Sequence, residues 1–249
     1  MDQNYSILLS AMGKVIIRNV SEDDLDDILR IDKEVYGNIS QEVTSNKEKM
    51  SSRISIGKEW FFVAEVAGKV EGFLSLQPTN KPIEKFISWE DSTDDGSIKR
   101  TYKENGKYVY GIALTISKSA RGLGISELLF KEAAKKMIKN KKRLVYFSGR
   151  MPGYYKYKNK MKAKEYYDSK IKKNGKLLPL DPQIRMYESY GLKRVRLVKE
   201  GFKGDNESAD YSVVFKADNP FYKLPFPSIW AGIFSVVIGN KLLTKLLLG

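Results

Sequence analysis

Neither cysteine nor histidine occurs among the 249 residues. Without cysteine there are no disulfides, no thiolate metal sites and no thiol nucleophile. Without histidine there is no Ser-His-Asp triad, no imidazole base and no His-ligated zinc or iron. No metal is therefore expected, and any proton transfer falls to Asp, Glu, Tyr, Lys, water or the backbone. Proline is also scarce, with 8 residues. The start, "MDQNYSILLSAMGKV", has a short apolar patch but no basic segment before it, so it does not read as a signal peptide. A cytoplasmic location is the expectation.

Acidic residues are scarce in one part of the chain only. The formal charge is +14, but residues 1–100 hold 13 basic and 18 acidic side chains, a net of −5. Residues 101–200 hold 26 and 8, a net of +18, and the rest 5 and 4, a net of +1. A phosphorylated ligand, an anionic lipid surface or nucleic acid could each exploit the basic half. A lysine-rich solvated surface explains most such clusters.

What is present is an alternation of strand and helix patterns. "KVIIRNV" (14–20) reads as a strand. Ser21 with Asp24 three residues on opens a helix through "LDDILRIDKEVYG", with Leu25, Ile28, Leu29 and Asp32 or Lys33 on one face and Gly37 at its end. Residues 38–58 are polar, with a second short helix. Residues 59–77 form a hairpin with a turn at Gly68-Lys69. A polar, acidic insertion (78–107) follows, then a strand at 108–116, a helix at 124–138 and a strand at 143–149. Residues 150–180 are basic and tyrosine-rich. "DPQIRMYESYG" (181–191) is a helix with Pro182 at its first position. "KRVRLVKEG" and "ADYSVVFKA" form a last hairpin. No repeat is seen.

Between the strand at 108–116 and the next helix lies "SKSARGLGISELL". Bare backbone at a helix N-terminus makes an anion site, and Gly122 and Gly124 allow close approach or positive φ. A P-loop would need Gly-Lys-Ser/Thr, where Ile125-Ser126 stands. A dinucleotide fingerprint would need a third glycine, where Glu127 stands. Arg121-Gly122-Leu123-Gly124-Ile125-Ser126 instead resembles the Arg/Gln-x-x-Gly-x-Gly/Ala pyrophosphate loop of the GNAT acetyltransferases, with Ser126 in place of the final small residue. "MYESYGL" resembles that family's Phe-Tyr-x-x-x-Gly-Phe signature, and the order of elements over residues 14–217 follows the family's. More narrowly, "GRMPGYY", "DPQIRMYESYGLKRVRLV" and "NPF" resemble acetyltransferase domains found beside nitrilase-like hydrolases.

The resemblance implies an α/β fold with a mixed, mostly antiparallel sheet, flanking helices and a splayed strand pair. It implies direct transfer of acetyl from acetyl-CoA, the co-substrate, to an acceptor amine of a small molecule or peptide. The backbone of residues 122–126 would hold the pyrophosphate, with Arg121 adding charge. The N–H near Ile116 would polarise the thioester, and Leu114 and Thr115 would line the acetyl-CoA track. Tyr187 matches the tyrosine that protonates the departing thiolate, with Tyr190 as the alternate. The family's glutamate on the strand at 108–116 is missing. Glu65, Glu71, Glu90 and Asp91 are the other candidate bases, beside a water chain. That gap, together with the apolar C-terminal tail, favours a rival reading, a non-catalytic acyl-CoA-binding or membrane-associated adaptor.

"GYYKYKNKMKAKEYY" is expected to face substrate in part while packing through Tyr154, Tyr157, Met161 and Tyr166; its basic-aromatic mixture also suits nucleic acid, which is not expected as a partner. The acetyltransferase domain is expected to fill residues 1–220, with insertions at 78–107 and 150–180, and an apolar tail to fill 221–249. "LPFPSIWAGIFSVVIGN" (224–240) has no charge and two prolines, too short for a confident span. It must be buried: on the domain, on a twin subunit of a homodimer, or as a peripheral membrane contact through 224–248. Docking on the protein is the expectation.

Overall fold

The structure, a computed structural model, describes residues 14–37 and 45–238. Seven strands form one sheet: β1 (Ile16–Asn19), β2 (Phe61–Val66), β3 (Lys69–Thr79), β4 (Tyr108–Ile116), β5 (Leu144–Gly149), β8 (Lys193–Val198) and β9 (Ser212–Asp218). Their order is β1-β2-β3-β4-β5-β9-β8, and every pairing is antiparallel except β4 with β5. β6 (Lys170–Lys173) and β7 (Lys176–Pro179) make a separate hairpin. The helices are α1 (Leu25–Tyr36), α2 (Lys47–Gly57), α3 (Trp89–Thr93), α4 (Ile125–Lys139), α5 (Ala163–Asp168), α6 (Pro182–Ser189) and α7 (Pro227–Ile238). This is the mixed, mostly antiparallel α/β architecture expected.

The sheet is covered on both faces, and strand alternation sorts its side chains between them. Phe61 and Val63 of β2 pack with Ile28 and Ile31 of α1 and Met50 and Ile54 of α2. Phe62, Ala64 and Val66 point the other way, to Ile125 and Leu129 of α4. The start of α1 is held by Asp24, whose carboxylate accepts from the Ser21 N–H at 2.7 Å and from Arg18. α6 starts at Asp181, whose side chain accepts from the N–H groups of Gln183 and Ile184.

Two local expectations are amended. The first hairpin turns at Ala67-Gly68, one residue earlier than Gly68-Lys69, since Val66 pairs with Lys69. The two turn residues have φ of 50° and 79°, as this turn type demands, and Gly68 serves as its second residue. The 78–107 segment, expected to be polar and acidic, also has an apolar anchor. Its Ile83, Phe86 and Ile98 are buried against Tyr110, Ile112, Tyr146 and Val214. The tyrosine-rich segment does pack through Tyr154, Tyr157, Met161 and Tyr166.

α7 lies along α4, with Ala231 buried and the Trp230 ring stacked on Phe221 at 5.4 Å. Its outer side leaves Phe226, Ile229, Ile233 and Val236 exposed. Lys241, Lys245 and the rest of the tail beyond Ile238 lie outside the described residues. Among the described residues no helix is long and apolar enough to cross a membrane.

Candidate active site

β4 and β5 pair at Val109–Val145, Tyr110–Tyr146 and Gly111–Phe147 only. Beyond these, β4 runs on to Ile116 along β3 and β5 runs on to Gly149 along β9. The strands part because each follows its other neighbour. Ile112 is an extra residue between Gly111 and Ala113, opposite the Leu76–Ser75 step of β3, and such a bulge bends a strand. The bulged Ile112 carbonyl accepts from the Trp89 indole at 2.8 Å.

The opening exposes backbone. Ser117 donates to the Glu71 carbonyl, so Thr115 and Ala113, in the same register, turn their N–H groups toward β3. Leu114 and Ile116 therefore turn theirs into the opening. The Leu114 carbonyl on that side accepts from the Tyr36 hydroxyl at 3.3 Å. Thr115 does not line the track with its side chain. It shares a face with Phe73, on the α1 side of the sheet, and is buried.

A cavity of about 1080 Å³ passes through the opening. On the α4 side its wall includes Leu114, Phe130, Phe147, Tyr187 and, from α7, Phe234. On the α1 side it includes Asp32, Tyr36, Arg53, Trp89, Ser148 and Arg150. No residue of 151–182 lines it, so the tyrosine-rich segment does not reach the cavity; Trp89, from the 78–107 segment, does.

In the loop between β4 and α4, Gly122 and Gly124 have φ of 88° and 73°, and Gly124 caps α4; residues 121–126 do not line the cavity, which α4 borders from Glu127 onward. A Cβ at either would meet no protein atom within 4 Å, so the space above both glycines is open. The glycines are there for positive φ and for that open space, not for tight packing. Arg121 is exposed beside them. Ser126 is hydrogen-bonded to the Tyr190 hydroxyl at 2.8 Å. Tyr190 is thereby tied to the loop end of α4, and like Tyr187 it lines the cavity.

Tyr187 sits at the opening, with its ring 4.8 Å from Phe147 and 5.0 Å from Phe215. Its hydroxyl accepts from Gln183 at 3.2 Å. Burial pushes its pKa well above the ordinary phenol value, with the nearby Tyr36 adding to this, so it keeps its proton at neutral pH.

The carboxylates named from the sequence are elsewhere. Glu65 pairs with Arg18 at 3.1 Å, Glu71 lies 3.9 Å from Arg30, Glu90 accepts from the Lys203 N–H, and Asp91 pairs with Lys81. None lines the cavity. Four others do, Glu127, Glu188, Asp218 and Asp32, and of these Asp32 is the buried one, 2% exposed, one helical turn before Tyr36 on α1. Burial raises its pKa to about 6, against the opposing effect of the Ser45 N–H bond and of Arg53. A carboxylate on the apolar face of α1 was the available signal. Arg150 is held by Asp205 and Glu207 at 2.6 and 2.8 Å. Among the described residues no cluster of three or more acidic side chains could hold a metal ion.

No family model matches the chain. Over 211 residues it is 26% identical to YkwB of Bacillus subtilis (strain 168), named an uncharacterized N-acetyltransferase, a match spanning 83% of this chain and 90% of that protein. Over 226 residues it is 26% identical to YhcX of the same organism, named a probable hydrolase; the match spans 86% of this chain but only 42% of that protein. Among solved structures, the loading GNATL domain of CurA from Lyngbya majuscula superposes with a TM-score of 0.71 at 19% identity, over 83% of this chain and 98% of that one. The GphF GNAT-like decarboxylase in complex with isobutyryl-CoA gives 0.68 at 13% identity, over 82% and 99%. Sequence likeness and strand topology agree, and the chain carries the GNAT acetyltransferase fold.

Proposed function

We propose that this protein transfers acetyl from acetyl-CoA directly to an amine of a small molecule or peptide. The observation that carries the reading is the parting of β4 from β5, which turns the Leu114 and Ile116 N–H groups into the opening, with Leu114 lining a cavity that also holds Asp32 and Tyr187. The Gly122–Ser126 backbone receives the pyrophosphate at the N-terminus of α4, helped by Arg121. The pantetheine follows β4 past Ile116 and Leu114, whose N–H groups polarise the thioester carbonyl. Asp32 takes a proton from the incoming ammonium. The amine nitrogen attacks the carbonyl carbon, the C–S bond breaks, and Tyr187 gives its proton to the leaving sulfur. The second nitrogen proton is released and restores the tyrosine. In this reading Asp32 fills the role for which β4 has no carboxylate, which supports catalysis over a non-catalytic adaptor.

The direct test is mass spectrometry of ligand retained on the purified protein, followed by a screen of amines with detection of released CoA. CoA release with no amine in the panel above the hydrolysis background would sink the reading.

Two substitutions divide the site. Gly124→Val would place a branched side chain in the open space above the loop and force a β-branched residue to positive φ. Calorimetry should then find acetyl-CoA binding lost while the fold persists; unchanged affinity would take the loop out of the mechanism. Tyr187→Phe keeps the ring and deletes the proton. A positioned acid is worth ~10²–10⁴ in rate, so kcat should fall at least tenfold with acetyl-CoA affinity little changed. Wild-type turnover would reassign Tyr187 to packing between Phe147 and Phe215.

A further inference from the structure

The α1 side of the cavity contains a cation that the transfer chemistry does not use. Arg53, on α2, is 1% exposed and lines the cavity. Its Nε donates to the Gly96 carbonyl at 2.6 Å, and its guanidinium carbon lies 5.6 Å from the centre of the Trp89 ring. Neither Nη atom has a hydrogen-bond partner among the described residues. Room for the group is kept by Gly96, where a Cβ would come within 2.5 Å of Nη2.

A buried guanidinium with two unmet donors is costly, because its lost hydration is not replaced. Burial pulls its pKa down to about 10, while Asp32 and Asp95 push the other way, so it remains charged at neutral pH. Asp32 is the carboxylate that shares its side of the cavity, yet it is not a hydrogen-bond partner of either Nη atom. Arg150, the other arginine of the chamber, is already neutralised by Asp205 and Glu207. The chamber therefore offers one unsatisfied, planar, two-pronged donor set beside an aromatic face and near a carboxylate. That set matches a carboxylate in shape and charge.

Resting on the acyl-transfer reading above, we infer that the acceptor is a small amine that also carries a carboxylate, such as an amino acid, and that Arg53 grips this carboxylate over Trp89. The ligand's ammonium then lies on the Asp32 side, turned toward the opening between β4 and β5. Arg53 is thus a specificity residue for the acceptor and has no part in holding the acyl donor.

The test has a binding arm and a turnover arm, each with wild type and Arg53→Met. Methionine replaces a buried charge by an apolar chain of similar length, and unchanged acetyl-CoA affinity by calorimetry establishes that the variant is folded. In the binding arm, tryptophan fluorescence is followed while N-acetyl derivatives of the common amino acids, and their methyl esters, are titrated in. At least one acid should bind wild type about ten- to hundredfold more tightly than its ester, as expected for charge-assisted hydrogen bonds, and Arg53→Met should erase the difference. In the turnover arm, free amino acids and their methyl esters compete as acceptors with acetyl-CoA. The acid should be preferred by a similar factor, and Arg53→Met should raise its KM at least tenfold without changing the KM for acetyl-CoA.

Acids and esters that bind and react alike in wild type would overturn the inference and leave acyl transfer standing. Carboxylate-dependent binding lost in Arg53→Met, with no amine acetylated, would keep the anchor and sink the transfer reading. An Arg53→Met defect seen only with malonyl-CoA or succinyl-CoA would move the carboxylate to the acyl group and overturn the acceptor assignment.

Discussion

Replacing Asp32 with asparagine is expected to lower kcat/KM by ~10²–10⁴ and to remove the acid limb of the pH profile. Asp32 is the carboxylate on the α1 wall of the cavity, one turn from Tyr36, whose hydroxyl reaches Leu114 at the strand opening. A base must be ionised to work. In the wild type kcat/KM should therefore rise with pH through about 6, the value to which burial lifts this group. The same substitution should stabilise the fold. The folded pKa lies above the ordinary 3.8, so the native state favours the protonated form. The stability that this provides is present at low pH and is lost as pH rises toward 6. Above that, the charged carboxylate opposes folding by up to about 3 kcal/mol, from roughly two pKa units. Asparagine carries no charge to bury. The variant's melting temperature should exceed the wild type's at pH 8, and the gap should shrink toward pH 4. A kcat/KM within threefold of wild type, with its acid limb intact, would take Asp32 out of the mechanism.

Deleting everything after Phe221 is expected to lower the melting temperature by about 5–10 °C. The tail helix α7 lies on α4, stacks Trp230 on Phe221, and sends Phe234 into the cavity wall. Removing it uncovers the side of α4 that bounds the cavity and leaves Phe221 unstacked. Partly buried side chains contribute less than the ~1.5–3 kcal/mol of a fully buried one, hence the moderate shift. Circular dichroism melting and static light scattering read the outcome. The alternative lies in the exposed row of Phe226, Ile229, Ile233 and Val236, the last 75% exposed. A truncated protein that melts like the full chain, stays soluble, and no longer sediments with liposomes would show that the helix serves a membrane surface and that its contact with α4 is weak.

Most of the frame was legible because periodicity reports burial. β2 and β3 show themselves as near-continuous runs of strand formers on either side of a glycine turn, and α4 and α6 through apolar spacing with glycine or proline at their ends. The β6–β7 hairpin had a signal that went unread. Asn174-Gly175 is a two-residue turn pair, and both adopt positive φ. The 78–107 segment was opaque for a different reason. Its order comes from a short 3₁₀ turn at Ile83–Lys85, a one-turn helix, and long-range burial of isolated residues.

The glycine loop and Tyr187 were readable as motifs because they are local. The α1 wall of the cavity was not. Asp32 traced the buried face of α1 and so looked like part of a pattern. Arg53 sits in the weakly periodic "MSSRISIG", where a charged side chain is expected in water. Only the fold brings α1, α2 and Trp89 to one chamber.

The three residue pairs joining β4 to β5 divide the sheet into two leaves that share a narrow spine. One leaf is β1 to β4 with α4; the other is β5, β9 and β8 with α6. The segment between β3 and β4 is fastened to both. It reaches the first leaf through Trp89 to Ile112 and through Gln77 to the Ser92 carbonyl. It reaches the second through Tyr146 to the Lys81 carbonyl and Arg196 to the Phe86 carbonyl. Such a strut fixes the angle between the leaves, and so the width of the gap, from the side opposite α4. Sequence changes along it can retune which molecules fit without altering any side chain that touches them.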